Sequence, residues 1–144
     1  ERQIQRILNR TTSLFNQLNR RTMSTHPALV PGNLAVITGA GYGGIGYSIA
    51  ALLASKPYDM SVLIADNSQA SLIQSQNKLT ALGISQDQIK IKQTDVTKYS
   101  EMEELVKAAY EFGKGKVDVL VLNAGIQTPT ADFGNGKEEV RAFN

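Results

Sequence analysis

Residues 34–46 read Leu-Ala-Val-Ile-Thr-Gly-Ala-Gly-Tyr-Gly-Gly-Ile-Gly, an apolar run that stops in a cluster of glycines. Leu34, Ala35, Val36 and Ile37 are too few for a helix and too apolar for a surface loop, so they predict a strand buried on both faces. Gly39, Gly41, Gly43, Gly44 and Gly46 supply a backbone that reaches positive φ and, lacking Cβ atoms, lets a bulky anion come close. Helix formers resume at Ser48 and run through Ala54, so the loop is expected to empty into a helix N-terminus. Free amides and the helix dipole at such an end stabilise an anion by roughly 0.3–1 kcal/mol. Two registers of GxGxxG fit, Gly39-Gly41-Gly44 and Gly41-Gly43-Gly46, so the glycine spacing alone fixes neither. Asp66 adds context. It follows the second apolar run, Ser61–Ala65, at the place where a carboxylate accepts the ribose hydroxyls of a dinucleotide.

Composition narrows the function classes. The chain has 144 residues and 42% hydrophobic content, enough for one domain with a sizeable core. No apolar stretch approaches the roughly 18 residues of a membrane span. The chain holds no cysteine and a single histidine, His26. That excludes disulfides, thiolate catalysis and cysteine zinc sites, and no metal site is expected. His26 precedes Pro27 in a connector and is expected to be solvated. The net charge of +2 hides an asymmetry, since Arg2, Arg6, Arg10, Arg20 and Arg21 face one acid, Glu1, within residues 1–22. The remaining chain carries ten basic and twelve acidic residues, a balance of −2 that gives no support to nucleic-acid binding.

Residues 1–22 place Ile4, Ile7, Leu8, Leu14, Phe15 and Leu18 on one helical stripe among arginines. They fit a mitochondrial presequence, an additional surface helix, or sequence outside the mature protein, since Met23-Ser24 has the look of a natural start. The chain opens on Glu1, so its own N-terminus is expected to be cut. Residues 23–33 read as a linker into the first strand. The second strand should end at Asp66, followed by a helix capped by Asn67 or Ser68, with Leu72, Ile73, Leu79 and Leu82 on its apolar side and Gly83 at its end. Gln88–Lys92 alternates charge with isoleucine, as an edge strand with one wetter face does. Ser100-Glu101-Met102-Glu103 has the pattern of a capping box, opening a helix with Met102, Leu105, Val106 and Ala109 on its buried stripe. Gly113 and Gly115 should stop that helix, and Val117–Leu122 predicts a fourth strand running into Asn123-Ala124-Gly125. The alternation of strands and helices dictates an α/β fold, a Rossmann-like doubly wound parallel sheet in the order 3-2-1-4, truncated after the fourth strand. Residues 34–144 are then an incomplete dinucleotide-binding half-domain.

These features together resemble the N-terminal half of a short-chain dehydrogenase/reductase. Thr38-Gly39 with Gly44-Ile45-Gly46 is similar to the family's TGxxxGxG loop, here one residue longer through Ala40, Gly41, Tyr42 and Gly43. Asp66 matches the ribose acid of NAD-preferring members. Asp95-Val96 matches the adenine-contacting pair after the third strand, and Asn123-Ala124-Gly125 matches the NNAG motif with Leu122 in place of its first asparagine. The resemblance implies an NAD cofactor, a small-molecule alcohol or carbonyl substrate, a homo-oligomer when complete, and a cytoplasmic location, or a mitochondrial one if residues 1–22 are a presequence. It also implies that the general acid is a tyrosine activated by a lysine beside a serine, in sequence this chain does not contain. Tyr110 and Lys114 have the YxxxK spacing, but Gly113 breaks the helix that would align them. Asn144 is the candidate for the family's catalytic asparagine. A non-catalytic dinucleotide-binding module is the alternative. A methyltransferase shares the glycine loop and the acid, but not Thr38 before the glycines or Asn-Ala-Gly after the fourth strand.

Overall fold

The computed structural model describes residues 26–125. The Arg-rich segment 1–22, the first residues of the linker and Asn144 lie outside them. Four parallel strands, β1 (Leu34–Thr38), β2 (Ser61–Asp66), β3 (Ile89–Gln93) and β4 (Val119–Val121), form one sheet in the order β3-β2-β1-β4. This is the expected Rossmann-like arrangement. Helices α1 (Ile45–Ala54), α2 (Gln69–Ala81) and α3 (Tyr99–Phe112) make the crossovers, and a 3-10 turn, Gln86–Gln88, leads into β3.

Strand periodicity sorts the core into two halves. Ala35 and Ile37 of β1 and Val62 and Ile64 of β2 pack with Ala50, Leu53, Leu72 and Leu79 of α1 and α2. Leu34, Val36, Leu63 and Ala65 point to the other face, onto Leu105 and Ala109 of α3. All five residues of β1 are buried, which is why that strand reads as a continuous apolar run. Each such aliphatic side chain contributes about 1.5–3 kcal/mol of burial energy.

Several local expectations are corrected. α1 begins inside the glycine cluster at Ile45, ahead of Ser48. Ile73 and Leu82, expected on the apolar side of α2, are exposed, as is Val106 on α3. No capping box forms at Ser100–Glu103: α3 starts at Tyr99 with Lys98 as N-cap, so Ser100 already lies within the helix. Glu101 ties back the first turn instead, accepting from the Asp95 amide at 2.6 Å and the Lys98 ammonium at 2.9 Å. The capping box that does form joins Ser85 and Gln88 ahead of β3. Ser68, not Asn67, caps α2 by accepting from the Ser71 amide. β4 pairs over Val119–Val121 alone, shorter than the expected Val117–Leu122, and its Leu120 is 58% exposed among the described residues.

At the strands' N-terminal ends the sheet is closed by charge. Asp118 accepts from the Leu34 amide at 2.9 Å and from Lys116 Nζ at 3.0 Å, while Lys116 also donates to Asn33 at 2.7 Å. Burial pushes the Asp118 carboxyl up, but the Leu34 amide and Lys116 more than offset it, leaving its pKa below the usual value. Tyr110 and Lys114 sit at this same end of α3, away from the glycine loop.

Candidate functional site

α1 and α2 lie on one face of the sheet and α3 on the other, and the strand order reverses between β1 and β4. Such a switch point opens a crevice beyond the carboxyl ends of the strands. Here it is a cavity of about 220 Å³ lined by Gly39 from the β1 exit, Asp66 and Asn67 after β2, Thr94 to Thr97 after β3, and Ala124 and Gly125 after β4.

Thr38 and Asn123 lock the β1 and β4 exits together. The Thr38 hydroxyl, buried at 2% exposure, accepts from the amides of Asn123 and Ala124, both at 3.1 Å. The Asn123 carboxamide donates to the carbonyls of Thr38 at 3.1 Å and Gly39 at 3.0 Å. This closeness demands glycine at two places. A Cβ on Gly39, whose φ is +65°, would lie 2.7 Å from Ala124 Cα. A Cβ on Gly46 would collide with the Gly39 carbonyl and sit 2.7 Å from Asn123 Nδ2. Gly46 is therefore structural, and Gly46→Val cannot leave the fold intact.

The loop itself is tied to β2 and α2. The Gly41 amide donates to Asp66 Oδ2 at 2.9 Å, the Tyr42 amide to Ser71 Oγ at 2.8 Å, and Ser75 Oγ donates to the Ala40 carbonyl at 3.0 Å. Asp66 Oδ1 accepts from the Ser68 amide at 3.0 Å. A carboxylate has about four lone-pair positions, so both oxygens retain acceptor capacity at the cavity wall. None of the ion pairs among the described residues involves Asp66.

Across the cavity, Asp95 Oδ1 accepts from the hydroxyl of Thr97 at 2.6 Å and from its amide at 3.0 Å. The Thr97 hydroxyl bond first, then its amide and Lys98, hold the Asp95 carboxyl below its usual pKa. Glu101 is likewise lowered, chiefly by the Asp95 amide, and Lys98 is raised, chiefly by Glu101. Asp95 at the cavity rim is thus fixed by its own bonds.

The geometry admits an elongated anionic ligand. The amides of Ile45, Gly46 and Tyr47 in the first turn of α1 have no protein acceptor among the described residues. Beside them, a Cβ on Gly43 would meet nothing within 4 Å, and one on Gly44 would first meet the Gly41 carbonyl at 3.4 Å. An open space therefore faces free donors, as an adenosine diphosphate group requires. Among the described residues no group of His, Cys, Asp or Glu is placed to hold a metal ion, and no helix is long and apolar enough to cross a membrane.

Of the residues singled out from sequence, Gly39, Asp66, Asp95, Val96, Ala124 and Gly125 line the cavity. Thr38 and Asn123 form the lock behind it, and Gly41, Tyr42, Gly43, Gly44, Ile45 and Gly46 form the adjoining loop. Sequence reasoning missed Asn67, Thr94 and Thr97 in the lining and Ser71 behind the loop. Only Thr97 had a local signal, the Asp-x-Thr spacing that lets a carboxylate accept from the residue two positions on.

An open parallel sheet with its crevice at the switch point defines a doubly wound protein of the Rossmann type. More particularly, residues 33–142 match the family model described as short chain dehydrogenase, and the chain belongs to that family. It is 37% identical over 112 residues to a diacetyl reductase [(S)-acetoin forming] of Staphylococcus epidermidis, covering 76% of this chain and 40% of the relative. A short chain dehydrogenase structure from Mycobacterium smegmatis aligns with TM-score 0.61 and 28% identity, over 69% of this chain and 39% of that one. A short chain dehydrogenase/reductase from Burkholderia phymatum, solved in complex with NAD, aligns with TM-score 0.50 and 29% identity, over 64% of this chain and 30% of that one. The chain spans about two fifths of the length of the first of these relatives.

Proposed function

We propose that this chain forms the NAD(H)-binding part of an oxidoreductase that moves hydride between the nicotinamide ring and the carbon of a secondary alcohol or ketone. The observation that carries this reading is Asp66, held by the Gly41 and Ser68 amides with spare acceptor positions at the cavity wall. A ribose diol satisfies those positions with two donors, whereas a 2′-phosphate would meet an unneutralised carboxylate. The free amides of Ile45, Gly46 and Tyr47 take the diphosphate, with the Gly43–Gly44 backbone beside it. Asp95 and Val96 flank the adenine, and Asn123 to Gly125 border the path toward the nicotinamide ribose. The bound cofactor supplies the hydride chemistry; the described residues bind it, orient it and exclude water around its adenosine half. Proton transfer to the carbonyl oxygen falls to the serine, tyrosine and lysine that the family resemblance implies, outside the described residues.

The Staphylococcus epidermidis relative is named for diacetyl and (S)-acetoin. These are therefore the first substrate pair to assay, by NADH oxidation with the full-length gene product. Turnover supports the dehydrogenase; tight NAD binding with no turnover on any of a panel of small ketones supports the non-catalytic module instead. The reading includes a homo-oligomer, which the family resemblance implies. Light scattering of the same preparation tests it.

A further inference from the structure

Between Gly39 and Gly44 only Ala40 and Tyr42 carry side chains, so only they can anchor the loop by packing. Ala40 fixes the first half: it is fully buried, and its carbonyl accepts from Ser75. The second half has Tyr42 alone. Its ring stands edge-on to Tyr47 of α1, with centroids 5.1 Å apart and planes at 68°, and the Lys78 ammonium of α2 lies 5.7 Å from its centroid. Both contacts are of attractive geometry, the ring edge toward a neighbouring ring and a cation over the ring face. Tyr47 is partly buried against the core, so the ring it meets is a fixed support. Tyr42 itself is 40% exposed, which means that its removal leaves no core cavity.

We propose that Tyr42 is a positioning residue for the dinucleotide: gripped between Tyr47 and Lys78, its ring holds the second half of the glycine loop in place. The diphosphate then meets amides that need no ordering. A loop lengthened by one glycine-rich residue gains conformational freedom, and a site that must order itself on binding loses affinity by the fraction of time it is competent. The two ring contacts raise that fraction. The inference rests on the dinucleotide reading above.

The test is calorimetric titration of the full-length gene product with NAD⁺, ADP and adenosine, alongside thermal melts. Tyr42→Leu should raise the Kd for NAD⁺ and ADP about tenfold, the product of the two contacts at their usual strength. Tyr42→Phe, which keeps both contacts, should bind within about twofold of the parent. Lys78→Met should weaken binding about threefold. Adenosine, which has no phosphate, should bind all variants alike, and Tm should change by no more than about 4 °C. Unchanged ADP affinity in Tyr42→Leu, an equal loss for adenosine, or failure of Phe to restore binding would overturn the inference. Lys78 is exposed, so Lys78→Met folds even if Tyr42→Leu does not, and full ADP affinity in it would count against the grip. A parent protein that binds neither NAD⁺ nor ADP refutes the dinucleotide reading rather than the role of Tyr42.

Discussion

β2 and β4 flank the same strand, yet one is built into the core and the other leans on it. β1 pairs with β2 from Leu34 to Thr38 and with β4 only from Ala35 to Ile37. Among the described residues, Val62 to Ala65 of β2 are buried, whereas Leu120 of β4 is 58% exposed. The site inherits this difference. Its β2 wall, Asp66 with the glycine loop, is braced by α1 and α2; its β4 wall, Asn123 to Gly125, is held by the Thr38–Asn123 lock. Substitutions on the two sides should therefore fail in different ways.

The largest effect is expected where the two walls meet. Gly46→Val drives a branched side chain into the Gly39 carbonyl and Asn123, so both walls should loosen at a cost of about 3 kcal/mol or more, read as a lower urea midpoint. Thr38→Val keeps the shape but strands the amides of Asn123 and Ala124, for about 2 kcal/mol. Hydrogen exchange should then quicken across residues 119–125 and stay slow across 61–66. Equal acceleration on both sides would erase the distinction between the walls.

Asp118→Ala removes the carboxylate that accepts from Leu34 and Lys116 at the opposite end of β1, and should cost about 1–2 kcal/mol. The Asp118 pKa is lower folded than unfolded, so its contribution is complete above the unfolded value of about 4 and fades as the pH falls through the folded value. The Tm gap between parent and variant should accordingly be constant at neutral pH and close in acid. A gap that widened in acid would contradict this. Gly44→Val should move stability least, under about 1 kcal/mol, because its Cβ finds ordinary contact distances. It should nonetheless abolish NAD binding by occupying the space in front of the α1 amides, and full affinity by calorimetry would mean that the phosphates lie elsewhere.

The features that were legible in sequence are those whose cause is local. A doubly buried parallel strand must be apolar throughout, so Leu34–Ile37 and Val62–Ala65 announce themselves. Crossovers long enough for helices then dictate the sheet order, and the glycines, Asp66 and Asn123 to Gly125 fall at strand ends by counting. What depended on distant partners was hidden. Glu101 prefers the Asp95 amide, which no local pattern at Ser100–Glu103 reveals. Helical spacing assigned Ile73, Leu82 and Val106 to an apolar stripe, but how wide a stripe is buried depends on the packing partner. Ser71 and Thr38 act through contacts 29 and 85 positions away, invisible to a reading along the chain.

The central claim is that Asp66 makes this crevice a site for NAD(H). Calorimetric titration of the full-length gene product with NAD⁺ and NADP⁺ tests it directly, with Asp66→Ala in parallel. Two charge-assisted hydrogen bonds to the ribose diol set against repulsion of a 2′-phosphate predict NAD⁺ binding at least about tenfold tighter, with the gap gone in Asp66→Ala. Equal dissociation constants in the parent protein, or a preference that survives the loss of the carboxylate, would contradict the account.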